Sequence, residues 1–150
     1  MAKLEKRLYK EVVVPSSHKT EKVVSGPYYI GFSTTNPARK STTVYDYECV
    51  KQDIINHFHI RQGEKLSDPT FGTIIWDLLF EPFTDNIKDA IIKNVTDIVN
   101  FDPRTRASGV QVSEYESGLQ TECTIMYLDY NISESLKMQF DKNVGLAWHN

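Results

Sequence analysis

Part-way along this chain the spacing of its apolar residues changes, and that change limits the fold more than any other feature. Between residues 46 and 100 apolar side chains return every three or four positions; beyond residue 110 they return every second position. The first spacing puts side chains on one face of a helix and the second on one face of a strand. Helices first and strands after predict an α+β domain. We expect two to three helices followed by a three-stranded antiparallel β-meander, one face of the sheet covered by the helices.

The first helix should start near Asp46, which can cap its first amides, with Tyr45 and Val50 as a hydrophobic staple. Tyr47, Val50, Ile54 and Phe58 form its inner face, Lys51, Gln52 and Asp53 its outer face, and it ends around Ile60, before Gly63. Asp68-Pro69 reads as a second helix start, because proline at the first helical position misses no amide bond. Phe71, Ile74, Ile75, Leu78 and Leu79 follow at helical spacing, Gly72 weakens the first turn, and Pro82 stops the helix. Thr84 or Asp85 caps a third helix to about Asn100, with Ile87, Ala90, Ile91, Asn94, Val95 and Ile98 on one face; Asp102-Pro103 breaks it.

Val110 and Val112 open the alternating region, and Glu116-Ser117-Gly118 is a turn. Cys123, Ile125 and Tyr127 then face one way and Thr124, Met126 and Leu128 the other. Residues 131–134 are a second turn signal, after which Leu136, Met138 and Phe140 alternate with Lys137, Gln139 and Asp141. The last strand would leave an edge, and the tail from Gly145 reads as irregular, with Trp148 exposed. Residues 1–43 hold short β-type runs cut by Pro, Gly and Ser, and read as an extended N-terminal arm; residues 44–150 are the α+β domain. The first 25 residues are expected to order only against a neighbour.

At 150 residues such a domain buries roughly two-thirds of its unfolded surface and needs no staple. The net charge of −3 divides into +5 over residues 1–40 and −8 over the rest. A basic arm on an acidic body suits an acidic partner or a solvated tail, and an acidic body disfavours nucleic acid. No apolar run reaches membrane-span length, so no membrane is expected, and the charged start MAKLEKRLYK lacks a signal core. Cys49 and Cys123 lie far apart, the four histidines lack ligand spacing, and neither a metal nor a cofactor is expected. Asn94 and Asn131 head glycosylation sequons that carry no weight without a secretory route.

The densest cluster of charge, glycine, proline and aromatics is residues 59–82. Asp77 and Glu81, four apart beside Trp76 and Phe80, are the best pair for a two-carboxylate hydrolase. Acidic residues on a solvated helix face explain them as well. Gly63 suits a turn, Asp68 a cap, Arg61 and Glu64 a tie across the turn, and Glu81 the extended residue before Pro82. No catalytic residue is assigned.

Three motifs in order then stand out: Arg61-Gln62-Gly63-Glu64-Lys65, Asp68-Pro69-Thr70-Phe71-Gly72 and Leu79-Phe80-Glu81-Pro82, followed after the next helix by Asp102-Pro103-Arg104. Together they resemble the signature of the baseplate wedge family of contractile-tailed phages, over residues 44–142. That family includes a baseplate subunit of the type VI secretion machine, and some members are labelled tail lysozyme. In this sequence Lys65 stands for the family's usual Arg and Asp102 for its Glu; Lys lacks the bidentate fork of Arg, and Asp is a methylene shorter.

The resemblance implies a structural subunit of the virion tail baseplate, assembled in the host cytoplasm in six copies. It would join a core bundle of larger wedge proteins to the first ring of tail sheath. It would also nucleate the sheath by accepting strands at a sheet edge. The implied interface residues are those of the motifs, from Arg61 to Pro82 and from Asp102 to Arg104, with Arg104 facing a partner's carboxylate. The expected sheath-facing strand carries Leu136, Met138 and Phe140, with the first or the middle strand as the alternative open edge. The alternatives are a peptidoglycan-degrading tail lysozyme and the equivalent type VI subunit.

Overall fold

The computed structural model describes residues 29–33 and 42–149. The expectation that residues 1–25 order only against a neighbour lies outside them. In chain order the elements are β1 (Ile30–Phe32), β2 (Thr43–Tyr45), α1 (Asp46–His59), α2 (Ile75–Leu78), α3 (Asp85–Phe101), β3 (Thr105–Tyr115), β4 (Gly118–Tyr127), β5 (Ile132–Asp141) and β6 (Gly145–His149). β1 and β2 form a two-stranded ribbon, and the other strands form one antiparallel sheet in the order β3-β4-β5-β6.

The expected α+β architecture is present, but the sheet has four strands rather than three. β6 is the addition. Leu146 and Trp148 pair with Phe140 and Met138, so they continue the inner face of β5. The turn before β6 is held by Asp141, whose Oδ1 accepts the N–H groups of Asn143 at 2.7 Å and Val144 at 3.0 Å. Trp148 is half-buried rather than exposed, and its ring lies 5.3 Å from Lys51 Nζ.

α1 and α3 pack on the inner face of the sheet. One core unites Val50, Ile55 and Phe58 of α1, Ile91 and Val95 of α3, and Ile125, Met138 and Phe140 of the sheet. Phe140 meets Trp76 and Phe58 edge-on, at 5.2 Å and 6.2 Å between ring centres. On β4, Cys123, Ile125 and Tyr127 are buried, as their alternation predicts.

Leu136, Met138 and Phe140 are core residues, 1%, 0% and 0% exposed. β5 runs between β4 and β6 and has no open edge along residues 137–141, which hold Met138 and Phe140, and all three side chains point into the core rather than outward. The sheet's outer strands are β3 and β6.

Three local expectations also differ. Helix α1 begins where expected, but its cap position is Tyr45, which makes no side-chain bond. Asp46, at φ 51°, instead accepts from the Tyr29 N–H and the Tyr130 hydroxyl, both at 3.4 Å. Lys51 and Gln52 are buried rather than outward, because α1 is covered on a second side. Lys51 Nζ lies 2.8 Å from Glu134 of β5, and Gln52 Oε1 accepts from Ser33 Oγ at 2.6 Å. The ribbon approaches closely here: a Cβ on Gly31 would lie 2.6 Å from Cys49 Sγ.

The second helix is a single turn, Ile75–Leu78, and does not start at Asp68. Asp68 spends its carboxylate on the Thr70 N–H and hydroxyl, at 3.2 and 2.6 Å, which closes a turn instead of a helix. Thr73 then bonds back to the end of α1: its N–H donates to Ile60 O at 2.8 Å, and Gln62 N–H donates to its carbonyl at 3.0 Å. Those bonds take the amides that a helix would have used. α3 matches its expected span closely, with Thr84 as cap, its Oγ1 accepting from the Ile87 N–H at 3.5 Å.

Candidate functional site

The motif residues fall in three places. Arg61 to Gly72 form a surface loop behind α1. Asp102 to Arg104 join α3 to β3 beside that loop, and Phe71 and Asp102 line one shared pocket. Leu79 to Pro82 lie apart from both, with Leu79 in the core and Phe80 to Pro82 at the surface. Lys142 Nζ lies over the Phe80 ring, 5.7 Å from its centre. The three core residues of β5 belong to none of these places.

The loop is rigid because its polar groups answer one another. Arg61 donates from its guanidinium to Asp77, which raises its pKa, and from its N–H to Glu64 Oε2 at 3.0 Å. Gly63, at φ +93°, donates to Pro69 O at 3.0 Å. Gly72, at φ +110°, is fixed twice over: its N–H donates to His57 Nε2 at 3.1 Å, and a Cβ there would lie 2.7 Å from Ile60 O. An Nε2 that accepts belongs to a neutral imidazole. Burial lowers the His57 pKa, and Lys65 lowers it further. The His57 ring stacks on Phe71 with centres 3.8 Å apart, and Lys65 Nζ lies 4.1 Å from the Phe71 centre. Lys65, where the resemblance has Arg, thus rests on an aromatic face instead of forming a carboxylate fork.

Asp102-Pro103-Arg104 is a self-contained clasp. Arg104 Nε donates to Asp102 Oδ1 at 2.8 Å and to Oδ2 at 3.1 Å, and Nη2 joins the same carboxylate. Its Nη2 also reaches Asp53 Oδ2 at 3.5 Å, and the guanidinium covers the Tyr29 ring at 4.6 Å. The Arg104 bond holds the Asp102 carboxyl below the usual carboxylate range and raises the arginine. The fork of Arg104, expected to face a partner's carboxylate, is occupied within the chain by a carboxylate two residues away.

Asp77, one of the two carboxylates weighed for hydrolysis, is taken by Arg61, and Glu81 stands exposed beyond the helix end. No cluster of three or more His, Cys, Asp or Glu side chains able to hold a metal occurs among the described residues. No helix among them is long and apolar enough to cross a membrane.

The pocket itself was not foreseen. Besides Phe71 and Asp102 it is lined by Asp53, Ile54, His57, Ile98 and Phe101, and it holds about 220 Å³. The available sequence signal was weak. Asp53 and His57 stand four apart, on one face of α1.

These features describe an α+β protein whose apolar sheet face is sealed by helices and whose motifs build a rigid polar surface. The chain belongs to the baseplate wedge protein gp25 family, whose model matches residues 45–137. It is thereby placed among the structural proteins of phage tails and baseplates. A crystal structure from Geobacter sulfurreducens, provisionally described as a tail lysozyme, shares the fold. It has a TM-score of 0.56 and 21% identity, over 63% of this chain and 89% of that one. A search of curated protein sequences finds no match.

Proposed function

We propose that this chain is a structural wedge subunit of a contractile tail baseplate, which joins the wedge core to the first sheath ring and seeds sheath growth by accepting a strand. Family membership carries the reading, and the open edges of the sheet support it. Of the two edges, β3 is the better defended. A bulge between Ser108 and Gln111 interrupts it, Gly109 there stands at φ +59°, and the Ala107 N–H is held by Asn100 Oδ1 at 2.9 Å. β6 runs Gly-Leu-Ala-Trp-His, without Lys, Arg, Asp, Glu or Pro. It pairs only with residues 137–141 of β5, so residues 132–136 lie beside it without a described partner on that side. An incoming segment would find its main-chain partners along the outer side of β6 and, past the end of that strand, at those residues.

Wedge partners would be larger proteins of the same baseplate, in six copies around it, in a virion assembled in the host cytoplasm. We read the chain as non-enzymatic, since Asp77 and Arg61 neutralise each other, Glu64 and Asp68 close turns, and Asp102 is held by Arg104. A peptidoglycan-degrading role and a place in a type VI machine are the competing readings. Co-purification with the core wedge proteins of the same genome, with and without residues 1–25, tests the structural one; binding to none of them would contradict it. A peptidoglycan zymogram of the purified chain beside Glu81→Gln should show no clearing in either lane. Clearing lost on that substitution would establish the hydrolase instead.

A further inference from the structure

The pocket between α1, the Phe71 loop and the end of α3 is poorly explained by stability. Its lining combines the apolar Ile54, Ile98, Phe71 and Phe101 with two acidic residues, Asp53 and Asp102. Phe101 is 66% exposed, an expensive place for a large ring on a folded surface. It stands edge-on to Phe71 and His57, at 5.8 Å and 5.5 Å between centres. Phe71 has His57 stacked on it and Lys65 over it, so Phe101 is the ring with a face to offer.

The two carboxylates differ. Asp102 is satisfied by the Arg104 fork. The Asp53 side chain, 58% exposed, has one distant contact to the same guanidinium, at 3.5 Å. Its pKa is raised, burial outweighing the opposite pull of Arg104. It is the less satisfied of the two carboxylates, since the guanidinium that pairs with it at the limit of hydrogen-bond distance is already closed on Asp102.

We propose that this pocket receives a basic side chain, arginine or lysine, from a partner chain, with the alkyl stem against Phe101 and Ile98 and the cationic head at Asp53. A long basic side chain fits both halves: its stem covers apolar surface while its head keeps a polar partner. A cation over an open aromatic face gains further, as Lys65 already does on Phe71. Because the walls are held by the Gly72–His57 bond and the aromatic stack, little ordering is left for binding to cost. That the partner is a wedge neighbour rests on the function proposed above; the chemistry of the pocket does not.

The test uses the full chain with labelled isoleucine methyl groups and n-butylguanidinium chloride as the probe, with n-butanol and guanidinium chloride as controls. The Ile54 and Ile98 methyl signals should shift and saturate with the probe alone. Asp53→Asn and Phe101→Ala should each weaken it about fivefold, the loss expected for one charge-assisted or cation–π contact. Equal shifts with n-butanol, or unchanged affinity in Asp53→Asn, would overturn the proposal. Tighter probe binding after removal of residues 1–25 would also overturn it, by showing that the chain's own basic arm is the occupant. None of these results depends on whether the chain enters a baseplate, which co-purification reads separately.

Discussion

The sheet and the motif loop hold their shapes by different means. The inner face of the sheet is a continuous apolar surface in which Ile125, Met138 and Phe140 are fully buried against two helices. The loop of residues 61–72 buries little. It is held by hydrogen bonds, by glycines in the left-handed region and by an aromatic stack. Burial resists change everywhere it occurs, whereas the loop's few bonds fix a surface shape for modest stability. The sheet therefore sets whether the chain folds, and the loop sets the shape of one polar surface.

Truncation in the sheet should be the most costly change. Phe140→Ala should destabilise by about 3–5 kcal/mol, measured by urea denaturation, because it opens a cavity beside Phe58 and Trp76. A cost under 1 kcal/mol would break the distinction between the two regions. Gly72→Ala should cost about 1–3 kcal/mol through backbone strain and contact with Ile60 O. It should also disturb the His57 and Phe71 ring signals in NMR while distant sheet amides keep their positions. If the sheet signals move equally, the loop is no independent surface.

Arg104→Ala should cost about 1–3 kcal/mol, since it leaves the half-buried Asp102 carboxylate without its fork. The variant should still unfold cooperatively; a chain that no longer folds would make the clasp part of the core. The smallest effect concerns acid. The Ser117 hydroxyl and the N–H groups of Asn143 and Val144 depress Asp141 from 3.8 to about 2. Its contribution to the β5–β6 hairpin is full above the ordinary carboxylate value and is lost as the pH falls through about 2. Trp148 fluorescence should report loosening of β6 in that window in the native chain, and Asp141→Asn should remove the transition.

Much of this division is legible in the residues. Periodicity locates α1 and α3, because fourteen and seventeen residues give several turns of repeat. It fails for residues 68–74, where Asp68-Pro69 has the composition of a helix start but Thr70 and Gly72 supply a turn. β6 escapes because only Leu146 and Trp148 alternate in five residues. The core role of β5 escapes for the same reason: without β6 it passes for an edge. The ordered motifs identify the family, yet the pocket beside them is assembled from α1, the loop, α3 and the clasp, and no local spacing announces such a meeting. Arg104 shows a further limit, since a charge read as facing outward is consumed by a neighbour two positions away.

The central claim is that this chain seeds sheath through the β6 edge. Successive N–H groups on a strand point to opposite sides, so of two adjacent prolines only one strips an outward donor. Prolines placed singly at Leu146 and Ala147, and at Ser113 and Glu114 of β3, should be compared among the variants that remain folded and still co-purify with wedge proteins. The measurement is sheath growth, followed by electron microscopy, from wedge complexes containing each variant. The account predicts that wild-type and β3 variants seed sheath while the folded β6 variant does not. Equal seeding by the β6 variant, or none by the wild type, would contradict it.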